Sequence, residues 1–510
     1  MMEEKEVRTL SDLALRAKEN WPDKTWLKAK NGREIVECTY SACYDSALRI
    51  SAFLNEKGTA VHAGMIGPTS IPYIEALFGT WLSGGVTVPI DALLPPEEVI
   101  DNLIRADVAV FFYDRRFAPL IPALKQMKPD ICTVCFEELE GEDSIPAVIA
   151  RYEPAEPAEI DPAQCACILY TSGTTGKSKG VMLSHANLID NVMCCDQEGD
   201  ENSVLLSVLP LHHAYCLTCD LLLSMRYGAT LAINDSLMRL PQNIRLFEPT
   251  MILVVPMIAE TLYRRIASQV KTMPGVTMAQ AGRALFGPKL TNLFCGGAYL
   301  SPQLSREYAE MGIPVLQGYG MTECSPRIAS SSMKDPSTGE DVGRVVKNCE
   351  VKIEDGEILV KSPSVMMGYY RNPEAEKEMF TEDGWLKTGD LGYVKDDRIY
   401  ITGRRKNLII LSNGENISPE VIENRFADCE WLAEILVYPE GDKITAEVYV
   451  QPEFQQDAER LLREKTEEIN RTAPAARRIT QLRLRDREFE KTTSRKIRRV
   501  QTGEKGRILE

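Results

Sequence analysis

Positive charge is in short supply in this sequence: 59 Lys and Arg stand against 74 Asp and Glu among 510 residues, a formal charge of -15. Such a surface repels a phosphate backbone, so nucleic acid is excluded as a partner. Long hydrophobic runs are also missing, since no apolar stretch approaches the roughly 18 residues that cross a bilayer. The N-terminus, MMEEKEVRTL, lacks the basic-then-apolar order of a secretory signal. A cytoplasmic protein without a transmembrane segment is therefore expected. No period of about 20 to 50 residues recurs, which sets solenoids and propellers aside. Histidine is scarce, with four in the chain, and the adjacent His212 and His213 have no carboxylate close by in sequence to complete a metal site.

Cysteine is not scarce, at 14. In a reducing compartment scattered thiols read as small buried hydrophobes rather than a disulfide framework. Cys132/Cys135 and Cys216/Cys219 form two C-x-x-C pairs, but the first sits in a strand-like run, ICTVCF, and the second in a helical apolar pattern. Zinc between them would require the pairs to converge, and is disfavoured. Hydrophobic residues at 44 % and charged residues at 26 % are those of a globular protein. The length suggests about two to four packed units.

Between Tyr40 and Val255 short β-branched runs alternate with helical periodicity: VTVPI at 86–90, a helix from Pro95, then VAVFFYD, CACILYT at 165–171 and SVLLSVLPL at 203–211. A further round carries MILVVP, a helix through Tyr263, LTNLFCGG, a helix starting at Ser301-Pro302, and PVLQGYG. Repeated βαβ alternation predicts an α/β protein with a largely parallel sheet covered on both faces. From about Gly343 short strands and tight turns, VKIEDGEILVKS and DRIYITG, predict a smaller β-rich unit. A polar, basic segment at 403–407 precedes a compact α+β pattern, which places a boundary between residues 1–403 and 404–510.

The segment with the clearest chemistry is YTSGTTGKSKGVMLSH, residues 170–185, where an apolar strand enters a loop of glycines, hydroxyls and lysines. Backbone N–H groups, hydroxyls and ammonium groups in such a loop can wrap phosphate oxygens. It is not a Walker loop, because Thr171 stands where glycine is required and a strand follows.

This segment, followed in order by QGYGMTE (317–323), GYYRNPE (368–374), GWLKTGD (384–390), GRRKNLIILSNGENISPEVIE (403–423) and KTTSRKIRR (491–499), closely resembles the signatures of the adenylate-forming (AMP-binding) superfamily. That superfamily includes acyl-CoA synthetases, peptide-synthetase adenylation domains and firefly luciferase. The chain is most similar to a bacterial fatty acyl-CoA synthetase. The resemblance implies a large N-terminal domain of layered α/β subdomains with a small β-rich subdomain, then a small mobile α+β C-terminal domain. It implies ATP, Mg2+ and coenzyme A, or the phosphopantetheine of a carrier protein, as cofactors and acceptor. The expected reaction has two steps: a carboxylic acid, expected to be a medium- or long-chain fatty acid, is joined to AMP with release of pyrophosphate, and the acyl group then passes to a thiol.

Carried residue by residue, the resemblance assigns the ATP phosphates to Thr171, Ser172, Gly173, Thr174, Thr175, Gly176 and Lys177. It assigns an adenine slot to Gly296, Gly297 and Ala298 with Gln317, Gly318, Tyr319, Gly320 and Met321. Thr322 would meet an α-phosphate oxygen, Glu323 would hold magnesium, and Asp390 with Arg404 would hold the ribose. Lys496 would be the catalytic lysine, although Arg495 stands where the family usually has glycine. Lys406 would be the hinge, with Gly414 facing the second state, and His212, His213 and Ala214 would line the acyl pocket. His185 matches the family without a chemical duty. Amino-acid-activating members commonly place an aspartate near the acyl segment, and here the nearest is Asp220. The basic run from Arg477 to Arg499 would attract coenzyme A phosphates or an acidic carrier protein. Two alternatives stay open: loading an acyl or peptidyl carrier protein, and a catalytically inactive nucleotide-binding homologue.

Overall fold

All five residues of Val86–Ile90 are buried, as a continuous apolar run in a strand covered on both faces requires. The computed structural model describes residues 7–171, 178–194, 199–337, 339–410, 416–441, 443–491, 497–499, 503 and 505–509. Val86–Ile90 runs parallel to His62–Ile66, which pairs in parallel with Val110–Tyr113, itself parallel to Cys132–Cys135. Helix Pro96–Arg105 connects two of these strands. Proline in its first turn and Glu97 and Glu98 beside it suit the N-terminal dipole. On the other side Cys165–Thr171 is parallel to Val86–Ile90, and Lys179–Ser184 then turns antiparallel, followed by Gly368–Tyr369.

A second sheet places Met251–Val254, Asn292–Gly296 and Val315–Gly320 side by side in parallel, with Val204–Ser207 and Thr230–Ile233 beyond. Its core includes Ile252, Ile266, Phe286, Leu293 and Tyr308. The sheet continues through Thr25–Asn31 to the edge strand Glu34–Thr39, after helix Leu10–Asn20 and before helix Tyr40–Asn55. The expected strand at 203–211 spans only Val204–Ser207, because the chain turns at Pro210, whose carbonyl accepts the His213 N–H.

The chain divides into two compact units: residues 1–300, 304–350 and 360–386 in one, and 301–303, 351–359 and 387–510 in the other. The expected boundary at 403–404 falls inside the second unit. In that unit strand Leu386–Lys395, all but its first residue, pairs with Arg398–Arg404, and its buried and half-buried residues alternate as one covered face demands. The rest is α+β: strands Leu432–Glu440, Lys443–Val450, Gln481–Arg485 and Arg507–Leu509 lie in that order. Helix Ala458–Thr472 contributes Leu462 and Ile469 to a core with Phe426, Val437 and Val448. The layered α/β class with its β-rich and α+β parts is as expected from sequence. Among the described residues no helix is long and apolar enough to cross a membrane.

Candidate active site

In the first unit the parallel strands Asn292–Gly296 and Val315–Gly320 end together, with Gly296 opposite Gly318. Ligands in open α/β sheets bind at such carboxyl ends. Gly297 and Ala298 follow and are exposed, and Gly297 has a φ of +82°, a left-handed conformation that glycine adopts without strain. A Cβ on Gly296 would sit 3.3 Å from the Tyr215 ring and 3.1 Å from the Gly318 carbonyl. The backbone is therefore bare on one side and packed on the other, an arrangement that suits a flat base. Gln317 is fixed through its backbone N–H, which donates to Ser331 Oγ at 2.7 Å, and through its amide, which donates to Ser337 Oγ at 3.2 Å. Tyr319 is buried beside Ala329.

At Gly320 a side chain would collide with the Pro326 carbonyl, 1.8 Å from the ideal Cβ. This close approach lets Met321 N–H donate to that same carbonyl and folds Thr322–Cys324 into a single 3-10 turn. Glu323 on this turn is 8 % exposed. One of its carboxylate oxygens accepts the Tyr369 hydroxyl at 2.8 Å, and its carbonyl accepts the Met366 N–H. Burial and the Glu323 carboxylate push the Tyr369 hydroxyl well up, so the phenol stays a donor. No cationic side chain pairs with Glu323 among the described residues. The turn is braced from below: Asn191 donates to the Cys324 and Arg327 carbonyls at 3.0 and 3.1 Å, and Thr218 Oγ1 donates to the Ser325 carbonyl at 2.9 Å.

Tyr369 belongs to the strand beside Lys179–Ser184, and the Lys179 ammonium lies 5.0 Å from its ring. Lys179 is the register partner of Thr171, so the two ends of the glycine-rich loop are held by a hairpin that reaches the Glu323 turn through Tyr369. Arg105 anchors the loop exit by donating to the Ser178 carbonyl and hydroxyl at 3.0 and 2.8 Å, and that hydroxyl donates to Asn102. Ser172, Gly173, Thr174, Thr175, Gly176 and Lys177 lie outside the described residues, as do Gly414 and Lys496.

The His212 and His213 rings lie 4.2 Å apart, tilted by 51°, and Ala214 is buried at the start of a short helix. The carboxylate that sequence proximity did not reveal is Asp91, at the end of strand Val86–Ile90 and 3.7 Å from His212 Nε2. Burial and then the neighbouring His213 lower His212 to about 3, against the opposing pull of Asp91, so this imidazole is neutral. Asp220 is fully buried on the helical turn Leu217–Leu222. Burial raises it well above the ordinary aspartate value, against the smaller opposing pull of the Ser207 hydroxyl. His185 has a structural duty: its Nδ1 accepts the Leu10 N–H, tying helix Leu10–Asn20 to the strand end, and burial lowers it to about 4.

In the second unit Asp390 is 4 % exposed, and Arg404 Nε donates to its Oδ1 at 2.7 Å across the hairpin. Lys406 follows in the turn Arg405–Asn407. Partial burial and the Arg404 charge lower its pKa. Several charges of the basic run are paired within this unit. Arg483 pairs with Glu440 and Arg485 with Glu447, both at the sheet, while Arg499 reaches Glu420 and Glu423. These charges are partnered by acids that charge counting along the sequence cannot see.

A carboxylate without a cationic partner suits magnesium, a hard cation that takes one or two protein carboxylates and completes its shell with phosphate oxygens and water. Glu323 offers one oxygen beyond the Tyr369 bond. No cluster of three ligand groups stands at Glu323 among the described residues.

The sequence profile of the AMP-binding enzyme family matches residues 15–370. A peroxisomal long chain acyl-CoA synthetase of Arabidopsis thaliana is 32 % identical over 354 residues, covering 59 % of this chain and 49 % of that protein. A 4-coumarate-CoA ligase of Narcissus pseudonarcissus is 29 % identical over 414 residues, covering 74 % and 70 %. The matched part of the chain thus spans about half the length of the first relative. Among solved structures, an anthranilate CoA ligase in complex with anthranoyl-AMP has the same fold, with a TM-score of 0.84 over 97 % of both chains at 20 % identity.

Proposed function

The chain belongs to the AMP-binding enzyme family, and from that premise we propose that it activates a carboxylic acid with ATP and passes the acyl group to coenzyme A. A medium- or long-chain fatty acid is the proposed acid and the cytoplasm the proposed location. In the first step a carboxylate oxygen attacks the α-phosphorus of ATP and the bond to the pyrophosphate oxygen breaks. In the second the thiol sulfur attacks the acyl carbonyl, AMP leaves, and the thiol proton passes to solvent. The first step brings two anions together, so positioning and charge neutralisation dominate it.

The buried Glu323 carboxylate, bonded to Tyr369 and with no cationic partner among the described residues, carries this reading. Magnesium held there would neutralise phosphate charge. Thr322 beside it would meet the α-phosphate, Thr171 with residues 172–177 the remaining phosphates, and Gly296, Gly297, Ala298 and 317–321 the adenine. Asp390 would accept the ribose hydroxyls with Arg404 fixing its orientation. Lys496 would bring a point charge to the α-phosphate and the acid, and Lys406 would be the hinge of a C-terminal lid spanning 404–510.

A fatty acid is supported by the LPLHHAY segment and by the long chain acyl-CoA synthetase relative. The buried, neutral Asp220 offers no fixed charge to a substrate ammonium, which speaks against an α-amino acid. The 4-coumarate-CoA ligase relative favours an aryl acid as the second reading. Thirteen cysteines among the described residues are free thiols, which supports a reducing compartment.

The test is pyrophosphate release with ATP and magnesium across saturated fatty acids, aryl acids and amino acids, with and without coenzyme A. A fatty acid giving a burst that coenzyme A converts to steady turnover is expected. A burst relieved only by a carrier protein would move the acceptor, an aryl acid alone would move the substrate, and silence across the panel would favour an inactive homologue.

A further inference from the structure

Cys38, Cys43 and Glu75 lie outside everything the proposed reaction uses, yet their ligand atoms all fall within 4.8 Å of one another. They are the one group of three metal-ligating side chains so placed among the described residues. Each comes from a different element or turn. Cys38 is the second-to-last residue of the edge strand Glu34–Thr39, Cys43 lies in the first turn of helix Tyr40–Asn55, and Glu75 projects from helix Ile71–Leu82. Thr39 caps the middle helix by accepting the Ala42 N–H at 3.1 Å, which fixes Cys38 and Cys43 on either side of the helix start.

We propose that Cys38, Cys43 and Glu75 form a structural site for a borderline divalent cation, zinc, that joins the edge strand to the two helices. Two thiolates and a carboxylate make a mixed sulfur and oxygen donor set of the kind zinc accepts, and a water completes four-coordination. With zinc–sulfur distances of about 2.3 Å, tetrahedral ligands stand roughly 3.8 Å apart. The observed cluster is within about 1 Å of that spacing, which side-chain rotation alone can close.

The surroundings hold the donors in place. Glu75 is buried and has no ion-pair partner among the described residues, which for a carboxylate calls for a counter-charge or a proton. It has little room to swing to water, because its helix touches the neighbouring one closely: a Cβ on Gly79, one turn along, would lie 2.6 Å from Ile50 Cγ2. Cys43 is buried and Cys38 half-buried, so Cys38 gives the ion a way in. Neither C-x-x-C pair suggested by sequence belongs to such a group among the described residues. Cys132 and Cys135 lie in one strand, and Cys216 and Cys219 fall on a helical stretch.

The experiment uses the full chain, stripped with chelator under reducing conditions and then titrated with zinc against a chromophoric chelator. About one zinc per chain is expected to resist the competitor. Cobalt in its place should give a sulfur-to-metal charge-transfer band. Zinc should raise the melting temperature of the wild type. Cys38→Ser, at a half-buried position where folding is safe, and the isosteric Glu75→Gln should each weaken zinc binding by at least about tenfold and abolish the melting shift. Cys132→Ser/Cys135→Ser should retain both. No competitor-resistant zinc in the reduced wild type, or wild-type binding by Cys38→Ser, overturns the site. Pyrophosphate release is expected from the stripped protein, so failure here leaves the ligase reading to its own test.

Discussion

Glu323 and Asp390 are both buried carboxylates, one on the turn after a strand and one within a strand, and they differ in what faces them. Asp390 has Arg404 at 2.7 Å, whereas Glu323 has a phenol and no cation among the described residues. A buried anion already paired with a guanidinium has its charge answered, and the lone pairs left over suit neutral donors such as sugar hydroxyls. A buried anion with only a neutral donor has charge to spare for an external cation. On the proposed function, the same residue chemistry would be set by its neighbours for two tasks, one electrostatic and one of orientation.

If that division is right, the two sites break differently. Glu323→Gln keeps the shape and the Tyr369 contact but removes the charge. Adenylation should fall about 100- to 1,000-fold with little change in melting temperature, and raising magnesium should recover part of it. A near wild-type rate in the pyrophosphate assay would falsify the assignment. Asp390→Asn should act mainly on nucleotide affinity, raising KM for ATP about 10- to 100-fold while kcat moves less. Deoxy-ATP is the sharper probe, since the variant should discriminate against it less than the wild type does. Tyr369→Phe is milder, with about a threefold to tenfold loss in kcat/KM, because a single hydrogen bond to Glu323 is removed and the ring still packs. A loss as large as that of Glu323→Gln would mean that the phenol itself meets substrate.

The fold was legible wherever local pattern and burial coincide. Cys165–Thr171 and Val86–Ile90 were read to the residue because β-branched and apolar side chains filled a whole strand between breakers. The edge hairpin of Thr25–Asn31 and Glu34–Thr39 was not read, since half-exposed and exposed polar positions give no apolar run to detect. Within the site, Glu323, Thr322 and the glycines stood out through their motif. Their supports did not: Tyr369 is 46 residues from Glu323, Thr218 is 107 from Ser325, and Asn191 is 133 from Cys324. Asp91 beside His212 and the acids beside the basic run were hidden for the same reason. Periodicity reports on neighbours three or four residues away, and these contacts are made by the sheet order.

Asp220 extends the comparison to a third buried carboxyl, one with no cationic partner among the described residues and only the Ser207 hydroxyl to oppose its burial. Its folded-state pKa is raised by burial, so the folded protein keeps a proton that the unfolded chain gives up once pH passes the ordinary aspartate range near about 3.9. The stabilising contribution is therefore complete below that range and is lost as pH climbs toward the folded-state value. Asp220→Asn removes the titration while keeping the shape. Its melting temperature should rise relative to the wild type by a few degrees as pH goes from about 5 to 8, with the two proteins closest at the acid end. Parallel stability curves would show that Asp220 is ionised and has found a charge partner. Fatty acid activation should change little, because the neutral carboxyl presents no charge for the substrate to lose; a large loss with an acid bearing a polar group would instead place Asp220 against that group.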